Sequence, residues 1–226
     1  MGAGVRLAAG DGFAFGAYHA PAEDARRGGL VLVQEIFGVT DHIRALADGF
    51  AADGYETLAP SLFDRLEPAF VAEGYGREDV AQARRLSEAA GWDDVARDLA
   101  ACVERLPPPV FAVGYCWGGT AAWLAACRCE GLAAASSFYG RRIPELVGET
   151  PRCPIILHFG RRDPTIPAET VEAIAAAHPE VPIWTYDAGH GFCSDRSADY
   201  DADSARLGRL RTLQLFALNG GGRGDI

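Results

Sequence analysis

Short apolar runs alternate with amphipathic stretches along this chain. Leu30-Val31-Leu32-Val33 and Val110-Phe111-Ala112-Val113 are continuous apolar tracts of the kind that strands buried on both faces require. Arg6-Leu7 and Phe13-Ala14-Phe15, separated by Gly10-Asp11-Gly12, predict a hairpin at the start. Further strands are predicted at 55–60, 133–139, 155–160 and 182–187. Between them lie helical patterns. Asp41 opens one with Ile43, Leu46, Ala47 and Phe50 on its apolar side and Gly54 as its stop. Others fall at 77–89 and at 93–106, where Val95, Leu99, Cys102, Val103 and Leu106 trace one face. Pro167 precedes another, and the last spans about 200–218. Alternating strand and helix patterns predict an α/β fold, a mostly parallel central sheet with helices on both faces.

The length of 226 residues fits a single domain, expected over 1–218, with the glycine-rich 219–226 as a flexible tail. A formal charge of −10 speaks against nucleic acid and anionic membranes as partners, and it means that an acidic substrate would need local arginines. The N-terminus lacks the apolar core of a signal peptide, and no apolar run approaches membrane-spanning length, so a cytoplasmic protein acting on a small molecule is expected. Six cysteines in such a chain do not suggest a disulfide framework. Cys127-Arg128-Cys129 lacks zinc-finger spacing, so neither a metal nor an organic cofactor is expected.

One cysteine has a context that asks for chemistry. Gly114-Tyr115-Cys116-Trp117-Gly118 stands between a strand pattern and the helical pattern from Thr120 to Ala126. This is the layout of a nucleophile elbow with cysteine in the usual place of serine. Its glycines allow a sharp turn that presents the sulfur above the sheet, and the positive end of the following helix favours a thiolate there.

A cysteine nucleophile needs a base, and the base a partner that fixes its tautomer. His190 follows the strand pattern at 182–187 and Asp163 follows that at 155–160. The order of nucleophile, acid and histidine is that of α/β-hydrolases, and each member falls at a strand's C-terminal end, where open α/β sheets build their sites. Asp187 and Asp195 compete with Asp163 for the acid role, whereas His158, inside an apolar strand, reads as a core histidine. Glu35, an acid ending a buried strand, is costly unless paired. It is expected either to meet a loop arginine or to face Cys116 and control its proton. The backbone N–H groups of Ile36 and Trp117 would then form an oxyanion hole.

Three segments, Gln34-Glu35-Ile36-Phe37-Gly38, Gly114-Tyr115-Cys116-Trp117-Gly118-Gly119 and Ala188-Gly189-His190-Gly191-Phe192, resemble signatures of the dienelactone hydrolase family of α/β-hydrolases, in that family's order. The resemblance implies Cys116 as nucleophile, His190 as base, Asp163 as its orienting acid and Glu35 as a partner in activating the thiol when substrate binds. Family members open the ring of dienelactone to give maleylacetate, and relatives use other esters or lactones. The family also implies two arginines for the substrate carboxylate, one before the elbow and one shortly after the histidine. Arg77 and Arg84 are candidates for the first, with Arg85 beside them, and Arg196 for the second, although it comes two positions late with Ser194 in its place. Phe37 joins them as a candidate for the substrate pocket. Two other functions fit the same residues: a general carboxylesterase or thioesterase, and a noncatalytic or redox-sensing protein using the reactive cysteine.

Overall fold

The computed structural model describes residues 1–23 and 25–222. β1 (Ala3–Ala8) and β2 (Ala14–Ala20) make the predicted antiparallel hairpin, with Leu7 opposite Phe15. β2 also pairs antiparallel with β4 (Tyr55–Pro60). From β4 the sheet is parallel through β3 (Gly28–Val33), β5 (Val110–Tyr115), β6 (Leu132–Phe138), β7 (Ile155–Gly160) and β8 (Ile183–Tyr186). The order β1-β2-β4-β3-β5-β6-β7-β8 puts β3 and β5 in the middle, and every residue of both is buried. That is why their sequences are continuously apolar, while the edge strand β1 alternates.

Among the described residues, five α-helices lie between strands, α1 (Asp41–Ala52), α2 (Arg77–Ala89), α3 (Trp92–Arg105), α4 (Trp117–Arg128) and α5 (Ala168–Ala177), and α6 (Ala202–Phe216) follows the last strand. They cover both faces of the sheet. Phe111 of β5 stacks on Phe216 of α6 with ring centroids 4.4 Å apart, whereas Gly114, of opposite parity on the same strand, lies against the first turn of α4. The fold is thus the α/β arrangement that the alternating patterns predict. None of the described helices is long and apolar enough to cross a membrane.

The chain end differs in part from the tail expected at 219–226. A π-type turn, Ala217–Gly221, follows α6 and breaks from helical geometry at Asn219 and at Gly220, whose φ is 95°. It brings in Gly221, which is buried and whose carbonyl accepts from Arg27 Nε at 2.9 Å and from the Tyr55 hydroxyl at 3.1 Å. Residues 223–226 of the expected tail lie outside the described residues.

Candidate active site

Between β5 and α4 the backbone turns at Cys116 with φ 56° and ψ −118°, a conformation that a residue with a side chain rarely adopts. The surroundings fix it there. Cys116 N–H donates to the Phe138 carbonyl at 3.0 Å, and its own carbonyl accepts from Gly119 at 2.9 Å. A Cβ on Gly114 would overlap the Gly118 carbonyl, and one on Gly118 would lie 2.6 Å from the Val33 carbonyl oxygen. Glycine at both positions therefore lets strand, turn and helix approach one another. Trp117 is the first residue of α4, so its N–H has no partner within the helix and is free to donate elsewhere.

The loops after β7 and β8 bring two further groups to the sulfur. Backbone bonds from Arg161 to Tyr186 (2.7 Å) and from Arg162 to Ala188 (2.9 Å) tie these loops together. Asp163, 4% exposed, places Oδ2 2.6 Å from His190 Nδ1, and His190 Nε2 lies 3.2 Å from Cys116 Sγ. The other carboxylate oxygen, Oδ1, accepts from the Thr165 amide at 2.8 Å and from its hydroxyl at 2.7 Å. Of the three acids weighed from sequence, Asp163 meets the histidine. Asp187 instead lies 3.5 Å from Arg162, and Asp195 lies 3.3 Å from both His42 and Arg196.

The electrostatics follow from these contacts. Burial by itself would depress the His190 imidazole, but the Asp163 bond and the facing sulfur raise it to about 10. Burial raises Asp163, yet the bonds from His190 and Thr165 outweigh it and hold the carboxyl below its ordinary value. Glu35 is different. Among the described residues its carboxyl has no ion pair or hydrogen bond, so the expected pairing with a loop arginine is not formed. Burial pushes it up to about 7, opposed only by the charge of His190. His158 is the core histidine that its strand implies, bonded to Tyr186 and Ser136, stacked on Phe138 at 4.1 Å and driven down to about 3 by burial.

A cavity of about 300 Å³ is lined by Cys116 and His190 together with Glu35, Ile36, Phe37 and Trp117. Arg84 and Arg196 line it too, as the sequence suggests, but Arg77 and Arg85 do not. Those two border a neighbouring surface hollow. Arg77 opens α2 and stands seven residues from Arg84, which is about 10 Å along a helix axis. It shares the helix of Arg84 but stands too far along it to reach the cavity.

Sequence reasoning missed Arg141, Arg142, Tyr75 and Thr165, all on the cavity wall. Arg141 and Arg142 could have been found, because they directly follow the strand pattern at 133–139 and so fall at a strand's C-terminal end. Tyr75, packed edge-on against Phe37 at 4.7 Å, comes from a stretch with no periodic signal. Among the described residues, no group of His, Cys, Asp or Glu is gathered so as to hold a metal ion.

Residues 15–219 match the dienelactone hydrolase family. A Synechocystis protein provisionally named a carboxymethylenebutenolidase is 32% identical over 209 residues, covering 83% of this chain and 84% of its own. The carboxymethylenebutenolidase of Pseudomonas putida is 29% identical over 226 residues, covering 95% of each chain. A solved Klebsiella pneumoniae structure, provisionally described as a dienelactone hydrolase, superposes with a TM-score of 0.81 at 28% identity, covering 96% of this chain and 99% of the other. A match over nearly the whole sheet and all the loops that build the cavity places this chain in the dienelactone hydrolase family, as a hydrolase of the α/β-hydrolase fold.

Proposed function

We propose that this hydrolase cleaves a small lactone or carboxylic ester through Cys116, in the manner of a carboxymethylenebutenolidase. The observation that carries the reading is the continuous contact from Asp163 to His190 (2.6 Å) to the Cys116 sulfur (3.2 Å) on the wall of a cavity. His190, oriented and raised by Asp163, takes the proton of the Cys116 thiol, and the sulfur attacks as thiolate.

Attack on the acyl carbon forms the C–S bond and moves the carbonyl electrons onto oxygen, where the amides of Ile36 and Trp117 receive them. Collapse expels the enolate or alkoxide, which takes the proton from the His190 imidazolium. The neutral imidazole then removes a proton from water as it attacks the thioester, and release of the acid restores thiolate and imidazolium. Asp163 holds the ring so that Nε2 faces the sulfur throughout. Glu35, with a carboxyl near 7, is able to exchange a proton with the cavity at neutral pH and so assist in activating the thiol. Phe37 and Arg84 contribute to the substrate wall, and Arg196 borders it.

The test is turnover of an activated aryl ester and of a dienelactone by wild type and Cys116→Ala, with intact-mass detection of an acyl adduct in His190→Ala. Loss of turnover in the first variant and an acyl adduct in the second are expected. Undiminished turnover without Cys116 would overturn the scheme.

A further inference from the structure

In the hydrolysis proposed above, the His190 imidazole and the Ile36 amide serve one carbonyl, yet they follow strands that the sheet does not pair. β3 and β8 are separated by β5, β6 and β7, which amounts to roughly 19 Å at ordinary strand spacing. A side-chain contact above the strand ends bridges them. His42, the second residue of α1, places Nδ1 3.3 Å from Oδ1 of Asp195, which lies five residues beyond His190.

The two ends of this contact differ in how firmly they are held. On α1, Ile43, Ala47 and Phe50 are fully buried, and Thr40 caps the first turn by accepting from the Ile43 N–H at 3.4 Å. His42 stands on that turn, itself almost buried. The loop after β8 is firm only at its start, where Phe192 is fully buried against Tyr139 and Tyr186. Beyond it the bonds stay local: Ser194 N–H donates to Gly191 and Ser197 N–H to Ser194, each at 2.9 Å, and the Ser197 hydroxyl returns to the His190 carbonyl at 3.2 Å. Arg196 also meets Asp195 Oδ1, but as the next residue it ties the loop to nothing else. Among the described residues, His42 is the one side chain outside the loop that holds residues 194–197 by an ion pair or side-chain hydrogen bond. Three of those four, Ser194, Arg196 and Ser197, line the cavity. Burial, aided by the charge of Arg196, keeps the His42 ring below its ordinary value despite Asp195, and a neutral ring meets the carboxylate with its proton on Nδ1.

We propose that His42 is a positioning residue for the catalytic base: through Asp195 it fixes the loop after His190 against the helix after Ile36, and so keeps base and oxyanion donors in register across the cavity. This rests on the ester or lactone hydrolysis proposed above and adds what holds its two sides together. A shift of about 1 Å in a catalytic group can cost up to roughly a hundredfold in rate, and because Phe192 still anchors the start of the loop, losing the tether costs less than that.

The experiment measures kcat and KM for para-nitrophenyl butyrate with wild type, His42→Phe, His42→Asn, Asp195→Ala and the double variant His42→Phe/Asp195→Ala. His42→Phe and Asp195→Ala are each expected to lower kcat roughly 3- to 10-fold with KM kept within about twofold, and the double variant to fall no further than the slower single one. Asparagine offers an amide N–H close to where the ring carries Nδ1, so His42→Asn should recover most of the rate. Losses that multiply in the double variant, His42→Asn as slow as His42→Phe, a loss carried by KM alone, or unchanged kcat in Asp195→Ala would each overturn the assignment. The Asp195 side chain is 62% exposed, so Asp195→Ala is expected to fold even where His42→Phe does not, and its kcat then decides. Failure of the underlying reading shows separately, as butyrate turnover that survives Cys116→Ala.

Discussion

Thr165 holds the carboxylate that holds His190: its amide and hydroxyl both meet Oδ1 of Asp163, which leaves Oδ2 directed at the imidazole 2.6 Å away. The residue that fixes the ring is therefore itself fixed, from a position two residues along its own loop. Thr165→Val keeps the shape and removes the hydroxyl. It is expected to lower kcat by roughly three- to tenfold, the net worth of one ordinary hydrogen bond, with little change in KM. Steady-state kinetics with a neutral aryl ester check this, and a change in KM alone would contradict it.

Asp163→Asn should be more severe. The amide can no longer stabilise the imidazolium or select the tautomer that puts a proton on Nδ1, so kcat is expected to drop by roughly two to four orders of magnitude. Circular dichroism should show an intact fold. Activity within about threefold of wild type would reject the assigned role.

Glu35 makes stability depend on pH in a particular direction. Its folded carboxyl titrates at about 7 instead of 4.5, so it keeps a proton that the unfolded chain has already released. The resulting penalty is absent below about 4.5, grows as pH rises and is complete above about 7. Relative to Glu35→Gln, wild type should lose roughly 3 kcal/mol between pH 4.5 and pH 8, read from urea unfolding. Parallel stability curves for the two proteins would refute the burial account.

Gly118→Ala tests how tightly the elbow is enclosed. The added methyl would press on the Val33 and Gln34 carbonyls, which belong to or adjoin a buried central strand. The cost is expected to reach at least about 1–3 kcal/mol, seen as a lower melting temperature or as insoluble protein. A variant with unaltered melting temperature would show that the turn has slack.

Truncation after Leu218 removes the Gly221 carbonyl that receives Arg27 and Tyr55. Tyr55 is fully buried, so its hydroxyl would be left without that acceptor, at a cost of roughly 1–3 kcal/mol in chemical denaturation. Truncation after Gly222, which keeps that carbonyl, is the reference, and equal stabilities of the two shortened chains would dismiss the clasp.

What could be read from sequence was whatever is written locally. Continuous apolar runs located β3, β5 and β7, and Gly-x-Cys-x-Gly located a backbone strain that the φ of Cys116 realises. The order of Asp163 and His190 along the chain anticipated their contact, because each ends a strand of one parallel sheet. Charges on loops and helix surfaces were harder. Arg77 and Arg84 look alike in sequence, and only the seat of α2 against the cavity separates them. Arg141 draws its position from a neighbour's hydrogen bond to Ser87, a contact between segments 55 residues apart that no local pattern records. The turn at Gly221 escaped for the same reason, since its partners Arg27 and Tyr55 lie near the other end of the chain.

Sulfur, imidazole and carboxylate hang from three strand ends of a single sheet, whereas the arginines that line the cavity sit on α2 and on connecting loops. Reactivity and selectivity are consequently inherited from separate parts of the molecule. Exchanges among the outer segments can redirect which esters are accepted while the bond-breaking apparatus stays undisturbed, so lineages built on this frame are free to diversify in diet without having to reinvent their chemistry.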